Sequence, residues 1–223
     1  MKKIFALILT IVITLSFTGC GEKENVRGTQ TGNNNTTQTN SNDKEFSLGS
    51  VDGLTYESEF IGIGCKLENT WSFYSDEQIR QLNNATADLA GDDYKKALEN
   101  ATIVYDMFAI NNTQTENINI NLEKVNPITL ASLDLKENFK KLYPTFTETY
   151  QNIGYTDVEF EIDSVLIGGK KFTCLELSAE SQNGELHQTS IAIKCNGYLA
   201  SITVTALDDD TVENNISKFY LVK

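Results

Sequence analysis

The single histidine of the chain, His187, is the residue best suited to acid–base chemistry near neutral pH. It falls on a predicted strand close to a turn, where we expect its side chain to be exposed. The sequence has no H-x-x-x-H, C-x-x-C, G-x-S-x-G, P-loop or G-x-G-x-x-G motif, so His187 has no partners at the spacing of a zinc or catalytic site. A pair with the thiol of Cys174 or Cys195 is conceivable, but nothing in the sequence orients the histidine for it. We therefore expect no enzymatic activity and little effect of His187→Ala on stability or function.

Three consecutive carboxylates, Asp208, Asp209 and Asp210, could bind a divalent cation. A calcium loop of the EF-hand type needs carboxylates at alternating positions, a central glycine and a terminal bidentate glutamate, and this run lacks that order. The alternative is that the acids begin a helix, capped by Asp210 and Glu213, and interact favourably with its dipole. The sequence favours the helix start and predicts no metal or other cofactor.

Three cysteines, Cys65, Cys174 and Cys195, fall in the part of the chain that should be globular. Exported proteins can form disulfides, and a two-residue hairpin turn would place Cys174 opposite Cys195. A three-residue turn gives better apolar pairs, such as Leu175 opposite Ile193, and puts the two cysteines on opposite faces of the sheet. We therefore predict three free, buried thiols.

The fourth cysteine, Cys20, directly follows an apolar stretch near the N-terminus. Two lysines precede the apolar residues 4–17, a run shorter than the roughly 20 residues that span a bilayer and typical of a secretory signal. The sequence F-T-G-C at 17–20 resembles the bacterial lipobox; the alternative is an ordinary signal peptide with a chance cysteine. The resemblance implies that residues 1–19 are removed and that a lipid on Cys20 anchors the protein in the bacterial cell membrane, facing the extracytoplasmic side.

The segment after Cys20 is strongly polar. Residues 21–45 contain one aliphatic side chain and no aromatic one, too few to offset the entropy of ordering. We expect residues 20–50 to be the acylated cysteine and a flexible tether, and residues 51–223 to form a single globular domain. Removing residues 1–19 takes away two lysines and no acids, so the net charge falls from −13 to −15. Nucleic acids and anionic lipid headgroups should repel such a chain.

The remaining sequence predicts strands and helices in an order typical of an α+β domain. Apolar periodicity indicates a hairpin around Gly62, a helix capped by Ser75 and Gln78 that extends to Leu89, and a long helix interrupted by Pro144. A second short helix is expected over 92–100, the long helix over 134–152, and strands over 101–110, 117–122, 157–165, 170–180, 186–195 and 198–206. This order predicts a twisted antiparallel sheet of about six to eight strands flanked by helices.

One predicted strand carries three asparagines, Asn117, Asn119 and Asn121, that alternate with apolar residues. Because neighbouring side chains on a strand point to opposite faces, the asparagines share one face. They could form a binding ladder, or the face could simply be solvated. Alternation by itself predicts a solvated face, so we expect the asparagine row to be exposed.

The hairpin around Gly62, the Trp71-Ser72-Phe73 strand, the capped helix and the run of four strands together resemble the PsbP-like family. That family includes the extrinsic P protein of photosystem II, a nuclear-import factor that binds the GTPase Ran, and many bacterial lipoproteins. The resemblance covers most of residues 54–220 and implies a twisted antiparallel sheet between helices, an α/β/α sandwich. Because members share no catalytic motif, it implies no particular reaction.

These observations favour a non-enzymatic, lipid-anchored protein that binds another protein or assists a complex in the cell envelope. The alternative is a module that binds a small ligand or a divalent cation, and a hydrolase is the least favoured class. An exposed apolar surface on one sheet face would favour a protein partner. A closed pocket lined by Trp71 or tyrosines would favour a small ligand.

Overall fold

A computed structural model of the protein describes residues 45–83, 101, 103–182 and 184–222. The predicted signal sequence, Cys20, most of the predicted tether and the helix expected over 92–100 lie outside these residues, as does the part of the first predicted helix beyond residue 83. The described residues form two antiparallel sheets and four helices. This architecture confirms the α+β class.

The larger sheet has seven strands in the order β4-β5-β6-β10-β9-β8-β7, within the predicted range of six to eight. Every neighbouring pair is antiparallel. The strands are β4 (Trp71–Phe73), β5 (Ile103–Asn111), β6 (Asn117–Lys124), β7 (Thr156–Ile167), β8 (Lys170–Ser181), β9 (Gly184–Cys195) and β10 (Tyr198–Ala206).

The sequence predicted only two of the four strands of the smaller sheet. Its order is β1-β2-β3-β11, with β1 at Ser50–Asp52, β2 at Thr55–Ser58, β3 at Ile63–Lys66 and β11 at Phe219–Leu221. The β2–β3 hairpin turns at Gly62, whose φ of +72° suits glycine, as expected. Strands β1 and β11 were missed because three residues are too few to establish a period of two.

The helices are α1 (Asp76–Leu82), α2 (Pro127–Ser132), α3 (Leu135–Asn152) and α4 (Asp209–Ile216). The capping box of Ser75 and Gln78 is present, but α1 ends at Leu82 with Asn83 as its C-cap, earlier than predicted. Helix α3 continues through Pro144, close to the predicted bounds of 134–152, and the kink expected at the proline stays a prediction. A proline removes only one backbone donor, and the buried side chains of Phe146 and Tyr150 hold the following turns against the sheet. None of the described helices is both long and apolar enough to cross a membrane.

Each face of the large sheet is covered by a different layer. One face packs its apolar residues, among them Ile118, Ile120 and Ile202, against the small sheet and helix α4. The other face packs Leu175, Leu177 and their neighbours against helix α3, which contributes Phe139, Phe146 and Tyr150. The sheet therefore lies between two layers, an arrangement consistent with the PsbP-like fold.

The ordered body begins before residue 51, where the sequence placed its start. The Phe46 ring is buried and contacts Phe60 and Tyr198, with ring centroids 5.4 and 5.1 Å away. Ser50 is already part of β1. Residues 46–50 were assigned to the tether because they follow a polar run, although Phe46 and Leu48 are apolar side chains that a sheet edge can bury.

Candidate functional site

A recess in the described residues lies along the edge of β5. Strand β4 covers only the end of β5, pairing Trp71–Phe73 with Ala109–Asn111. Farther back, the side chain of Asn83 takes the place of a neighbouring strand. Its Oδ1 accepts a hydrogen bond from Tyr105 N at 2.7 Å, and its Nδ2 donates to Tyr105 O at 2.9 Å. Strand β4 and the side chain of Asn83 thus pair with β5 on either side of a short gap, and Asp106 lies in that gap.

Asp106 is positioned by a β-bulge. The pairing of β5 with β6 shifts between Tyr105 and Met107, and a bulge of this kind re-aims the side chain of the extra residue. Oδ1 of Asp106 accepts from Gly49 N and Oδ2 accepts from Tyr56 Oη, each at 2.7 Å. The side chain is otherwise sequestered, since the residue is only 7% exposed.

Burial raises the pKa of Asp106 from 3.8 to about 6, even though the hydrogen bonds from Tyr56 and Gly49 lower it. The carboxyl is therefore mostly ionised at neutral pH. The fold thus keeps a negative charge inside the protein, stabilised by two neutral donors.

The partners of Asp106 are fixed by close packing. Tyr56 is fully buried, and burial followed by the charge of Asp106 raises the pKa of its hydroxyl, which stays protonated and donates. Gly49 passes so close to the Tyr56 ring that a Cβ on it would lie 2.3 Å from Cε2. Only glycine therefore allows the backbone N–H at this position to reach Asp106.

A cavity of about 360 Å³ opens beside Asp106. This volume is at the lower end of the range of about 300–1,000 Å³ that is typical of small-molecule sites. Its wall combines polar and apolar surface, and the rings of Tyr74 and Phe108 pack with centroids 4.4 Å apart. Asp76 and Arg80, one helical turn apart on α1, add one charge of each sign. The apolar lining comprises Leu48, Val51, Phe73, Tyr74, Ile79, Met107 and Phe108.

Sequence reasoning missed this site, although a signal for it was present. Asp106 is the only charged residue in the apolar run ATIVYDMFAI over 101–110. A charge in a strand that is apolar on both faces must find partners or line a cavity. Trp71, whose presence in a closed pocket would have favoured a small ligand, is 4% exposed within the core, and Lys218 Nζ lies 5.5 Å from its ring centroid.

The asparagine row of β6 is buried, which contradicts the expectation of a solvated face. Asn117, Asn119 and Asn121 are at most 2% exposed. They lie opposite Thr205, Thr203 and Ser201 of β10, so the polar row continues onto the next strand. The prediction failed because alternation identifies residues that share a face but does not reveal whether another layer covers that face.

Several amide atoms of this buried polar row have no hydrogen-bond partner among the residues that the structure describes. They are Asn117 Oδ1, both polar atoms of Asn119, Asn121 Nδ2 and Gln188 Nε2. Gln188 Oε1 is satisfied, because it accepts from Tyr150 Oη at 3.1 Å and from Thr205 Oγ1 at 3.2 Å. A buried polar group without a partner costs about 1–3 kcal/mol, so the row is a locally destabilising feature of the sheet.

His187 is half-buried rather than exposed, which corrects the expectation from the sequence. Its Nδ1 lies 2.7 Å from Asp209 Oδ1 and its Nε2 lies 3.1 Å from Glu185 Oε2, so the ring joins β9 to the start of α4. Burial alone would lower the pKa of His187, but its hydrogen bonds to the two carboxylates and their charges outweigh burial and raise it. Both ring nitrogens are engaged, and the site acts as a structural bridge.

The acidic run begins helix α4, as the sequence favoured, but the cap lies two residues earlier. Asp208 is the N-cap: its side chain accepts from Thr211 N at 2.8 Å and from Thr211 Oγ1 at 2.9 Å. The hydrogen bonds from Thr211 lower the pKa of Asp208. Within the described ranges, no three histidine, cysteine or acidic side chains are grouped so that they could hold a metal ion.

All three cysteines of the body are free thiols, as predicted, although the register argument behind that prediction was wrong. Ser181 pairs with Gly184, so two residues form the turn, and Cys174 pairs with Ile191 rather than lying near Cys195. Cys174 and Cys195 share a face of the sheet but are offset along it. Cys65 and Cys174 are buried, whereas Cys195 is only half-buried. Cys20 lies outside the described residues, and its lipidation stays a prediction.

Comparisons with known proteins give likenesses to structures only. No protein-family model matches the chain, and no curated protein sequence does so. Solved structures that resemble it include a protein from Bacteroides thetaiotaomicron VPI-5482, with 11% identity over 78% of this chain and 50% of that chain and a TM-score of 0.40. This chain therefore spans about half the length of that protein.

Two further likenesses have descriptive names. LpqN of Mycobacterium tuberculosis, described as involved in cell envelope biogenesis, is 13% identical over 72% of this chain and 83% of its own, with a TM-score of 0.36. The Ran-binding protein Mog1p of Saccharomyces cerevisiae is 11% identical over 79% of this chain and 97% of its own, with a TM-score of 0.40.

Proposed function

We propose that the protein is a non-enzymatic binding module, anchored by a lipid on Cys20 at the extracytoplasmic face of the bacterial cell membrane. Its ligand is a small molecule that occupies the cavity beside Asp106. The apolar stretch and the F-T-G-C run at 17–20 support the anchor. The observation that carries the ligand proposal is a preformed cavity of about 360 Å³ with a buried, ionised carboxylate in its wall.

The described nucleophiles favour binding over catalysis. Burial raises the pKa of Cys65, Cys174 and Cys195 to about 12 each, so all three are protonated at neutral pH and are poor nucleophiles. Both nitrogens of His187 are held by carboxylates that belong to the bridge between β9 and α4. These groups therefore support a structural role better than a reaction.

The exposed apolar side chains favour a small ligand over a protein partner docked on a sheet face. The large ones in the described residues are scattered over β1, α2, the end of α3, β7 and the end of β10: Val51, Ile128, Ile153, Leu166 and Leu207. A docking surface of the expected kind would collect such residues on one face. A small molecule in the cavity needs no such surface.

The ligand proposal can be tested with the full-length lipoprotein in detergent and a panel of cationic, neutral and anionic small molecules. Compounds that raise the unfolding temperature are then measured by calorimetry on two variants of β1. Ser50 is exposed and lines the cavity, so Ser50→Trp should fill it and abolish the effect. Asp52→Trp, two residues along the same strand and outside the lining, is the matched control and should leave binding unchanged.

If no compound class stabilises the protein, or if stabilisation persists in Ser50→Trp, the cavity is not the binding site. A protein partner would then be the better explanation.

A further inference from the structure

We propose that the ligand of this cavity carries a primary ammonium group, which binds the carboxylate of Asp106 while the rest of the ligand contacts the aromatic wall. This inference rests on the proposed function and specifies its ligand class.

The first argument is the charge of the cavity wall. The Asp106 carboxylate is buried, and its described partners, Tyr56 and Gly49, are neutral donors. A buried charge is costly unless an opposite charge compensates it. Arg80 lines the same cavity, but Asp76 on the same helix lines it too, so these two residues add no net charge to the cavity wall. With Asp106 added, the wall carries one net negative charge that a cationic ligand would neutralise.

The second argument is hydrogen-bonding capacity. Each oxygen of an ionised carboxylate can accept two hydrogen bonds, and each oxygen of Asp106 accepts one from the described residues. A primary ammonium carries three N–H donors, so it can use the remaining acceptor positions. A quaternary ammonium would supply the charge but no donor. The vacant acceptor positions therefore favour a primary ammonium.

The third argument is the aromatic character of the wall. The rings of Tyr74 and Phe108 are packed together, and Phe73 lines the same cavity. Aromatic faces attract cations, and the attraction is larger where water is excluded. A cationic group next to an apolar ligand body thus matches both the carboxylate and the rings.

The charge of the whole protein acts in the same direction. The chain has 31 acidic against 18 basic residues, a net charge of −13. A strongly negative protein raises the local concentration of small cations and lowers that of anions. Anionic ligands attracted by Arg80 would have to overcome both this field and Asp106.

The test compares three probes of one shape: benzylammonium, benzyl alcohol and benzoate. Calorimetry on the full-length lipoprotein at neutral pH should give the tightest binding for benzylammonium, by about tenfold or more over each of the others. Asp106→Asn keeps the shape of the side chain and removes its charge. It should weaken benzylammonium by at least about tenfold and leave benzyl alcohol nearly unchanged.

Asp52→Asn is the matched control, because Asp52 is exposed on β1 and does not line the cavity. It should change benzylammonium binding by less than about threefold, since an exposed charge is screened by water. If Asp106→Asn fails to fold, the order of the three probes on the wild-type protein still decides.

Equal or tighter binding of benzoate or benzyl alcohol would overturn the ammonium proposal while leaving the small-ligand function intact. Undiminished binding of benzylammonium by folded Asp106→Asn would overturn it as well. If none of the three probes binds and the broader panel also fails, the proposed function itself is wrong.

Discussion

Replacing Asp106 by asparagine should change how the stability of the protein depends on pH. Burial raises the pKa of Asp106 from 3.8 to about 6, so the folded protein holds this proton more tightly than the unfolded chain does. The protonated carboxyl therefore contributes stability that is fully present below the unfolded pKa and is lost as pH rises through the folded pKa. Asparagine does not titrate and has no such contribution.

The size of the effect follows from the pKa difference. A difference of about two pKa units corresponds to roughly 3 kcal/mol in the free energy of unfolding, most of which is lost between about pH 4 and pH 7. All other groups titrate alike in both proteins, so the difference in stability between them isolates Asp106. The stability of Asp106→Asn relative to wild type should rise by roughly 2–3 kcal/mol from about pH 4 to about pH 7.5.

The assay is urea unfolding followed by the fluorescence of Trp71, the only tryptophan, which is buried in the core. Tyr56→Phe provides a second variant with an opposite expectation. It removes a donor that lowers the pKa of Asp106, so the pH dependence should become steeper than in wild type. If the difference between Asp106→Asn and wild type stays constant within about 0.5 kcal/mol across this range, the carboxyl is not perturbed as described.

Four further predictions concern other parts of the chain. Asn119→Leu should stabilise the protein by about 1–3 kcal/mol in urea unfolding, because both polar atoms of the buried amide lack partners in the described residues. The control Asn214→Leu, on the exposed face of α4, should change stability by less than about 0.5 kcal/mol. A loss of stability in Asn119→Leu would mean that the amide is satisfied by bound water or ligand. His187→Ala should lower the free energy of unfolding by about 1 kcal/mol below about pH 6.5, and this difference from wild type should vanish as pH rises past the raised pKa of the histidine. A pH-independent difference would contradict the bridge to Asp209 and Glu185. Cys20→Ala should block processing or release the protein from membranes, and a mutant of mature size that still sediments with membranes would disprove the lipid anchor. Alkylation of the globular part, unfolded without a reducing agent, should modify the thiols of Cys65, Cys174 and Cys195, and a count of one modified thiol would reveal a disulfide.

Features set by neighbouring residues could be predicted from the sequence. The capping box of Ser75 and Gln78 involves positions three apart, and the hairpin around Gly62 needs only a glycine with positive φ between two alternating runs. The four long strands from β7 to β10 are separated by short turns that contain or adjoin a glycine, and they were located to within about two residues. These interactions are local, so the local sequence contains the information for them.

The register of β8 against β9 could not be predicted because both faces of these strands are buried. Leu175 and Leu177 belong to the layer under α3, whereas Cys174 and Ile191 belong to the opposite layer. When apolar residues occupy both faces, several registers give comparable apolar pairs, and matching them does not select one. The actual register, with Ser181 opposite Gly184, depends on how the turn and both layers fit together.

The candidate site was decided by tertiary structure alone. Asp106 and Tyr56 are 50 positions apart, and Asp106 and Gly49 are 57 apart, yet both pairs form hydrogen bonds of 2.7 Å. No sequence period links residues at such distances, because their meeting depends on how the small sheet packs against the edge of β5. The burial of Asn119 has the same cause: sequence alternation determined the face it shares, and the packing of layers determined that this face is covered.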